Sequence, residues 1–157
     1  MIRKIGSVTG VFALACLFLL PASARAEVDF GVRGGFYDDA DAGFIGGELL
    51  MDVFGKWYFN PNLEYVFVDD GDLSTLNADF HYDFDTGSPF YVWAGGGPAV
   101  IFSGADCRNC DDETDIGLNL LGGIGFGRGQ ALRPYLQGKV VLSDDTEAVL
   151  AFGIRFH

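Results

Sequence analysis

The stretch Thr75 to Phe84, TLNADFHYDF, alternates without a break: Leu76, Ala78, Phe80, Tyr82 and Phe84 form one set, and Thr75, Asn77, Asp79, His81 and Asp83 the other. A strand sends successive side chains to opposite faces, so one face is apolar and the other carries two carboxylates and an imidazole. The same period recurs from Val28 to Tyr37, Phe44 to Val53, Trp57 to Phe67, Asp115 to Phe126, Arg133 to Leu142 and Glu147 to Phe156. One further segment, Phe90 to Phe102, is apolar on both sides and rich in glycine (Gly95, Gly96, Gly97), which leaves its register open. The pattern predicts eight strands of roughly ten residues, the length a tilted strand needs to cross a bilayer.

The connections between these segments fall into two alternating classes. The first, third, fifth and seventh, around Asp38–Asp41, Asp69–Asp72, Ser103–Thr114 and Ser143–Thr146, hold 12 acidic residues and one basic residue, Arg108. The second, fourth and sixth, Phe54–Lys56, Asp85–Ser88 and Gly127–Leu132, hold one acid and two bases. An up-and-down meander puts alternate connections at opposite ends, so the chemistry alternates in step with the expected topology.

Volume selects the inward face. An eight-stranded barrel has an interior only wide enough to be filled by side chains. The apolar set, with Phe30, Phe36, Trp57, Phe59, Phe80, Phe152 and many Leu and Ile, is too bulky for it. The polar set is leaner and dotted with glycine (Gly31, Gly35, Gly46, Gly117, Gly153). The apolar face is therefore expected to point outward into lipid, and the strands to close, because an open edge in hydrocarbon leaves backbone groups unpaired. Trp57, Tyr58, Tyr82, Phe84, Tyr91 and Trp93 cluster near one end and are expected to form an aromatic girdle.

These residues resemble the small eight-stranded outer-membrane proteins: the OmpA-type transmembrane domain and the OmpX-like and opacity-like barrels. The resemblance spans residues 27–156 and rests on architecture. It implies an all-β, antiparallel, up-and-down transmembrane barrel in a Gram-negative outer membrane, with the acidic connections facing outward. Leu150–Phe156 looks like the aromatic-ended last strand that the outer-membrane assembly machinery reads in this class; the chain departs from it by carrying His157 after the aromatic.

The start of the chain agrees with export. Arg3 and Lys4 precede the apolar run Val11–Leu20, and Ala24-x-Ala26 closes the segment. This pattern predicts a signal peptide over 1–26, cut after Ala26, and one barrel domain over 27–157. That mature chain has 7 basic and 22 acidic residues, a net charge of −15, which argues against nucleic acid as a partner. The remaining cysteines, Cys107 and Cys110, stand in an exported connection, where a disulfide closing a tight turn is favoured over half a metal site.

On the inward set, Arg33, Lys139 and Arg155 stand on strands that become neighbours on closure, while Glu48, Glu64, Asp79 and His81 lie on strands two to four. Buried charges need partners, so a lumen network is expected, with Arg33 and Lys139 against Glu48, Glu64 and Asp79. The expected result is a polar plug; a narrow ion or proton path is the alternative. His81 invites a hydrolase reading, but Ser74, Ser88, Ser103 and Ser143 share no local motif with it, and a triad needs a nucleophile within reach of the base. The Asp clusters read as solvated connections or as cation-bridged contacts to anionic lipopolysaccharide. The sequence thus predicts a monomeric, non-enzymatic barrel without cofactor, in contact with outer-membrane lipid and acting through its outer connections. A narrow channel or hydrophobic-ligand conduit is the runner-up, and a lipid-modifying enzyme the third reading.

Overall fold

The computed structural model describes residues 27–69, 71–104 and 113–157. The expected signal segment with its cleavage at Ala26, and the Cys107–Cys110 pair, lie outside the described residues. Eight strands follow one another: β1 (Val28–Tyr37), β2 (Ala42–Phe54), β3 (Trp57–Val66), β4 (Asp72–Phe84), β5 (Phe90–Gly104), β6 (Glu113–Phe126), β7 (Leu132–Leu142) and β8 (Glu147–Phe156). Each pairs antiparallel with the next, and β1 pairs with β8 to close the barrel. The closing register runs from Phe30↔Phe156 to Tyr37↔Val149.

The alternation is obeyed strand by strand. Phe30 (63% exposed), Ile116 (78%) and Phe152 (56%) stand on the outer surface, while Arg33, Glu64 and Arg155 are almost wholly buried. In water such a sleeve would be an apolar patch far larger than monomeric proteins expose; in hydrocarbon it is the matching surface. The register of β5, open in the sequence, places Tyr91, Trp93 and Ala99 inward and Phe90, Pro98 and Phe102 outward.

Prolines interrupt the ladder at defined places. Pro61 stands in β3, and the pairs Leu49↔Pro61 and Leu50↔Asn60 drop out of the β2–β3 register, which shifts between Asp52 and Phe54. Proline has no N–H to donate. The side chain of the adjacent Asn60 donates instead to the Leu49 carbonyl, at 2.6 Å. At the tight end, Gly55 takes φ 62° in the two-residue β2–β3 turn, where a positive φ favours glycine.

Candidate functional site

The interior is filled in layers. Nearest the acidic connections is an apolar plug of Tyr37, Phe44, Val66, Ala99, Val141, Val149 and Ala151, on which Ala40, Val68, Leu73 and Ile101 lean. The inward positions of β1, β2, β3, β5, β7 and β8 all reach this level, and each carries an apolar side chain there. Polar connections above and charges below leave this layer as the stopper of the lumen.

Beneath the plug the strands bring together five alternating charges. Lys139 Nζ lies 2.8 Å from Glu64 Oε2, and Arg33 bridges Glu64 Oε1 (3.2 Å) and Glu48 Oε2 (3.6 Å). Arg155 Nε closes the row on Glu48 Oε1 at 2.9 Å. Tyr37 Oη donates to Glu64 Oε2, and Thr75 Oγ1 donates to the same oxygen at 3.2 Å. All five side chains of the row, Arg33, Glu48, Glu64, Lys139 and Arg155, have no solvent exposure, so their charges face one another rather than water.

Asp79 departs from the expected pairing with Arg33 or Lys139. It is held by carboxamides: Asn119 Nδ2 donates to Oδ1 at 2.8 Å and Asn62 Nδ2 to Oδ2 at 3.0 Å. Asn77 completes a ring, donating to Asn62 Oδ1 (2.9 Å) and accepting from Asn119 Nδ2 (2.8 Å). Lys139 and Arg33 are committed to Glu64, and Asp79 on β4 faces the asparagines of β3 and β6 instead. Three cations (Arg33, Lys139, Arg155) and three carboxylates (Glu48, Glu64, Asp79) share the mid-lumen, so the charge of this section balances.

Toward the opposite end the lumen turns aromatic. Trp93 is 2% exposed, Tyr135 1% and Tyr91 3%. The Arg155 guanidinium lies over Tyr135 (4.4 Å) and Trp93 (5.0 Å), a cation–π arrangement. His81 stands apart from the five-charge row: its ring stacks on Tyr58 at 5.6 Å, tilts against Trp93 at 5.7 Å, and turns Nε2 toward Asp83 at 3.4 Å. No serine, threonine or cysteine stands among these three neighbours. At the mouth Arg128 binds Asp83 (3.3 Å) and covers Tyr91 (4.8 Å), while Arg133 binds Asp29.

The expected girdle is corrected for half of its members. Trp57, Tyr82 and Phe84 face outward and contact one another edge to face, Trp57–Tyr82 at 5.4 Å and Tyr82–Phe84 at 5.1 Å. Tyr58, Tyr91 and Trp93 face the lumen. Tyr58 adjoins Trp57, so the two must take opposite faces. Tyr91 and Trp93 fit inside because their cross-strand partners are Gly125 and Gly123. A Cβ on Gly123 would stand 2.2 Å from the Trp93 ring, and one on Gly125 2.4 Å from Tyr91. Tyr135 uses Gly153 in the same way, at 2.4 Å.

Known structures share the fold of this barrel. The N-terminal barrel of Pseudomonas aeruginosa OprF superimposes with a TM-score of 0.72 at 13% identity, covering 84% of this chain and 98% of that one. Neisserial surface protein A gives 0.73 at 16% identity over 85% and 99%. The fold is that of the small eight-stranded outer-membrane barrels. The Yersinia pestis attachment protein Ail shares it at a TM-score of 0.61 and 10% identity, over 83% of this chain and 96% of that one. No protein-family model and no curated sequence matches the chain.

The polar reading of the lumen missed the asparagine ring, the Asp29–Arg133 and Asp83–Arg128 mouth pairs, and the aromatic layer. Their shared signal in the sequence is parity: Asn60, Asn62, Asn77, Asn119 and Gln137 all occupy the same face as the charges, and Tyr91, Trp93 and Tyr135 each have an inward glycine across from them.

Proposed function

We propose that the chain is an outer-membrane protein whose activity resides in its acidic outer connections, with the barrel as a solid support. The observation that carries this reading is the filled lumen: an apolar plug, a charge-balanced polar layer and an aromatic layer occupy the axis in turn. Eight strands leave no aqueous channel in any case, and the plug places an apolar barrier in line with the charges. Planar-bilayer recording tests it: the reconstituted protein gives no stable openings, and reproducible single-channel steps would overturn the reading in favour of a narrow channel. Outer-membrane fractionation with heat-modifiable gel mobility tests the compartment.

The partner's chemistry follows from the rim. Among the described residues the outer connections and adjoining strand ends present Asp38, Asp39, Asp41, Asp69, Asp72, Glu113, Asp115, Asp144, Asp145 and Glu147, and no lysine or arginine. Ail has been crystallised with the heparin analogue sucrose octasulfate, a polyanion; this rim would repel such a ligand. A cationic surface is the complementary partner, and contact with lipopolysaccharide phosphates would run through bridging divalent cations. The monomeric state and delivery by the assembly machinery through β8 belong to the same proposal.

A further inference from the structure

His157 follows β8 directly. Its backbone N–H donates to the Ala131 carbonyl at 3.1 Å, which extends the β7–β8 pairing by one position. On the other side, the β1–β8 register ends at Phe30↔Phe156, so the next rung is Asp29 opposite His157. The ring fills that rung: Nδ1 lies 2.6 Å from Asp29 Oδ1, and Nε2 lies 2.8 Å from Glu27 Oε1. The second oxygen of Asp29 is taken by Arg133 of β7. One carboxylate of β1 thus ties down both strands beyond it.

A neutral imidazole has a single N–H. With carboxylate oxygens at hydrogen-bond distance from both ring nitrogens, a neutral ring would set one lone pair against another. We propose that His157 is a proton-dependent clasp on the β1–β8 seam, closed while the ring carries both protons. The charged groups around it are Glu27 and Asp29 on β1, Asp52 on β2, which pairs by its backbone with Glu27, Arg133 on β7 and Arg155 on β8. The clasp joins His157 to positions 128 and 130 residues before it, the longest separations among the side-chain contacts described and hence the least local. A ring that carries a single proton can bond only one of the two carboxylates.

The test follows urea unfolding of the full barrel in detergent micelles at about pH 5.5 and about pH 8, a span that brackets imidazole titration. The unsubstituted protein unfolds roughly fivefold more slowly in acid than His157→Gln does at the same pH, a factor that shrinks at high pH. Glu27→Gln, which removes only the exposed partner, reduces the factor. An identical pH response in the unsubstituted protein and His157→Gln would overturn the clasp. Imidazole ¹⁵N resonances of the folded, unsubstituted protein near pH 6 decide the matter without any substitution: two protonated nitrogens support it, and one unprotonated nitrogen refutes it.

Discussion

Replacing Glu64 by glutamine keeps the shape of the side chain and one acceptor oxygen but removes the charge between Lys139 and Arg33. Glu64 binds Lys139 at 2.8 Å, Arg33 at 3.2 Å and the hydroxyls of Thr75 and Tyr37. The hydroxyl bonds survive in neutral form at about 1 kcal/mol each. Arg33 retains Glu48 at 3.6 Å, but Lys139 loses its carboxylate while having no solvent exposure. Removing one partner of a buried pair costs about 3–5 kcal/mol, and that figure is assigned here to the stranded ammonium. Urea titration in micelles, followed by heat-modifiable mobility, reads it as a lowered midpoint at unchanged slope. The double variant Glu64→Gln, Lys139→Met removes both charges and restores most of the loss, leaving a deficit of about 1 kcal/mol. A single-variant cost under about 1 kcal/mol, or a double variant no better than the sum of the singles, would refute the argument that the five-charge row is an energetically coupled unit.

Further outcomes test other layers. Gly153→Ala pushes a methyl to within 2.4 Å of the Tyr135 ring and 2.5 Å of its hydroxyl, and overpacking of this kind lowers urea stability by about 1–3 kcal/mol. Brominated acyl chains quench the fluorescence of Trp93→Phe, which retains the outward Trp57, and leave Trp57→Phe, which retains the lumen Trp93, nearly unchanged; equal quenching would refute the corrected girdle. Cys107 and Cys110 are expected to be joined, so reduction raises the intact mass by about 2 Da, and no change would refute the pairing.

The strands and their inward face are readable from sequence because lipid imposes a strict period of two: a residue in the wrong phase puts a charge in hydrocarbon or a ring in the wall. Phe90 to Phe102 resisted because Tyr91 and Trp93 are as apolar as Phe90 and Val92, and hydrophobicity alone does not phase such a run. What phases it is the opposing strand, where Gly123 and Gly125 open space for the two rings. The volume argument correctly sent most of the bulk outward but treated each strand separately, and so overlooked that a glycine on one strand makes room for an aromatic on the next. The Asp79 pairing was misjudged for a related reason. Which acid meets which cation depends on stagger between strands, which composition does not encode.

None of the side-chain hydrogen bonds or ion pairs described in the lumen draws on residues 38–41, 67–69 or 143–146. The polar part of the interior therefore completes itself, while Ala40 and Val68 of these segments lean on the apolar plug beside it. Such a body can have its outer face rewritten, by mutation or by deliberate grafting of foreign loops, while its polar centre stays the same, provided the two plug contacts are kept.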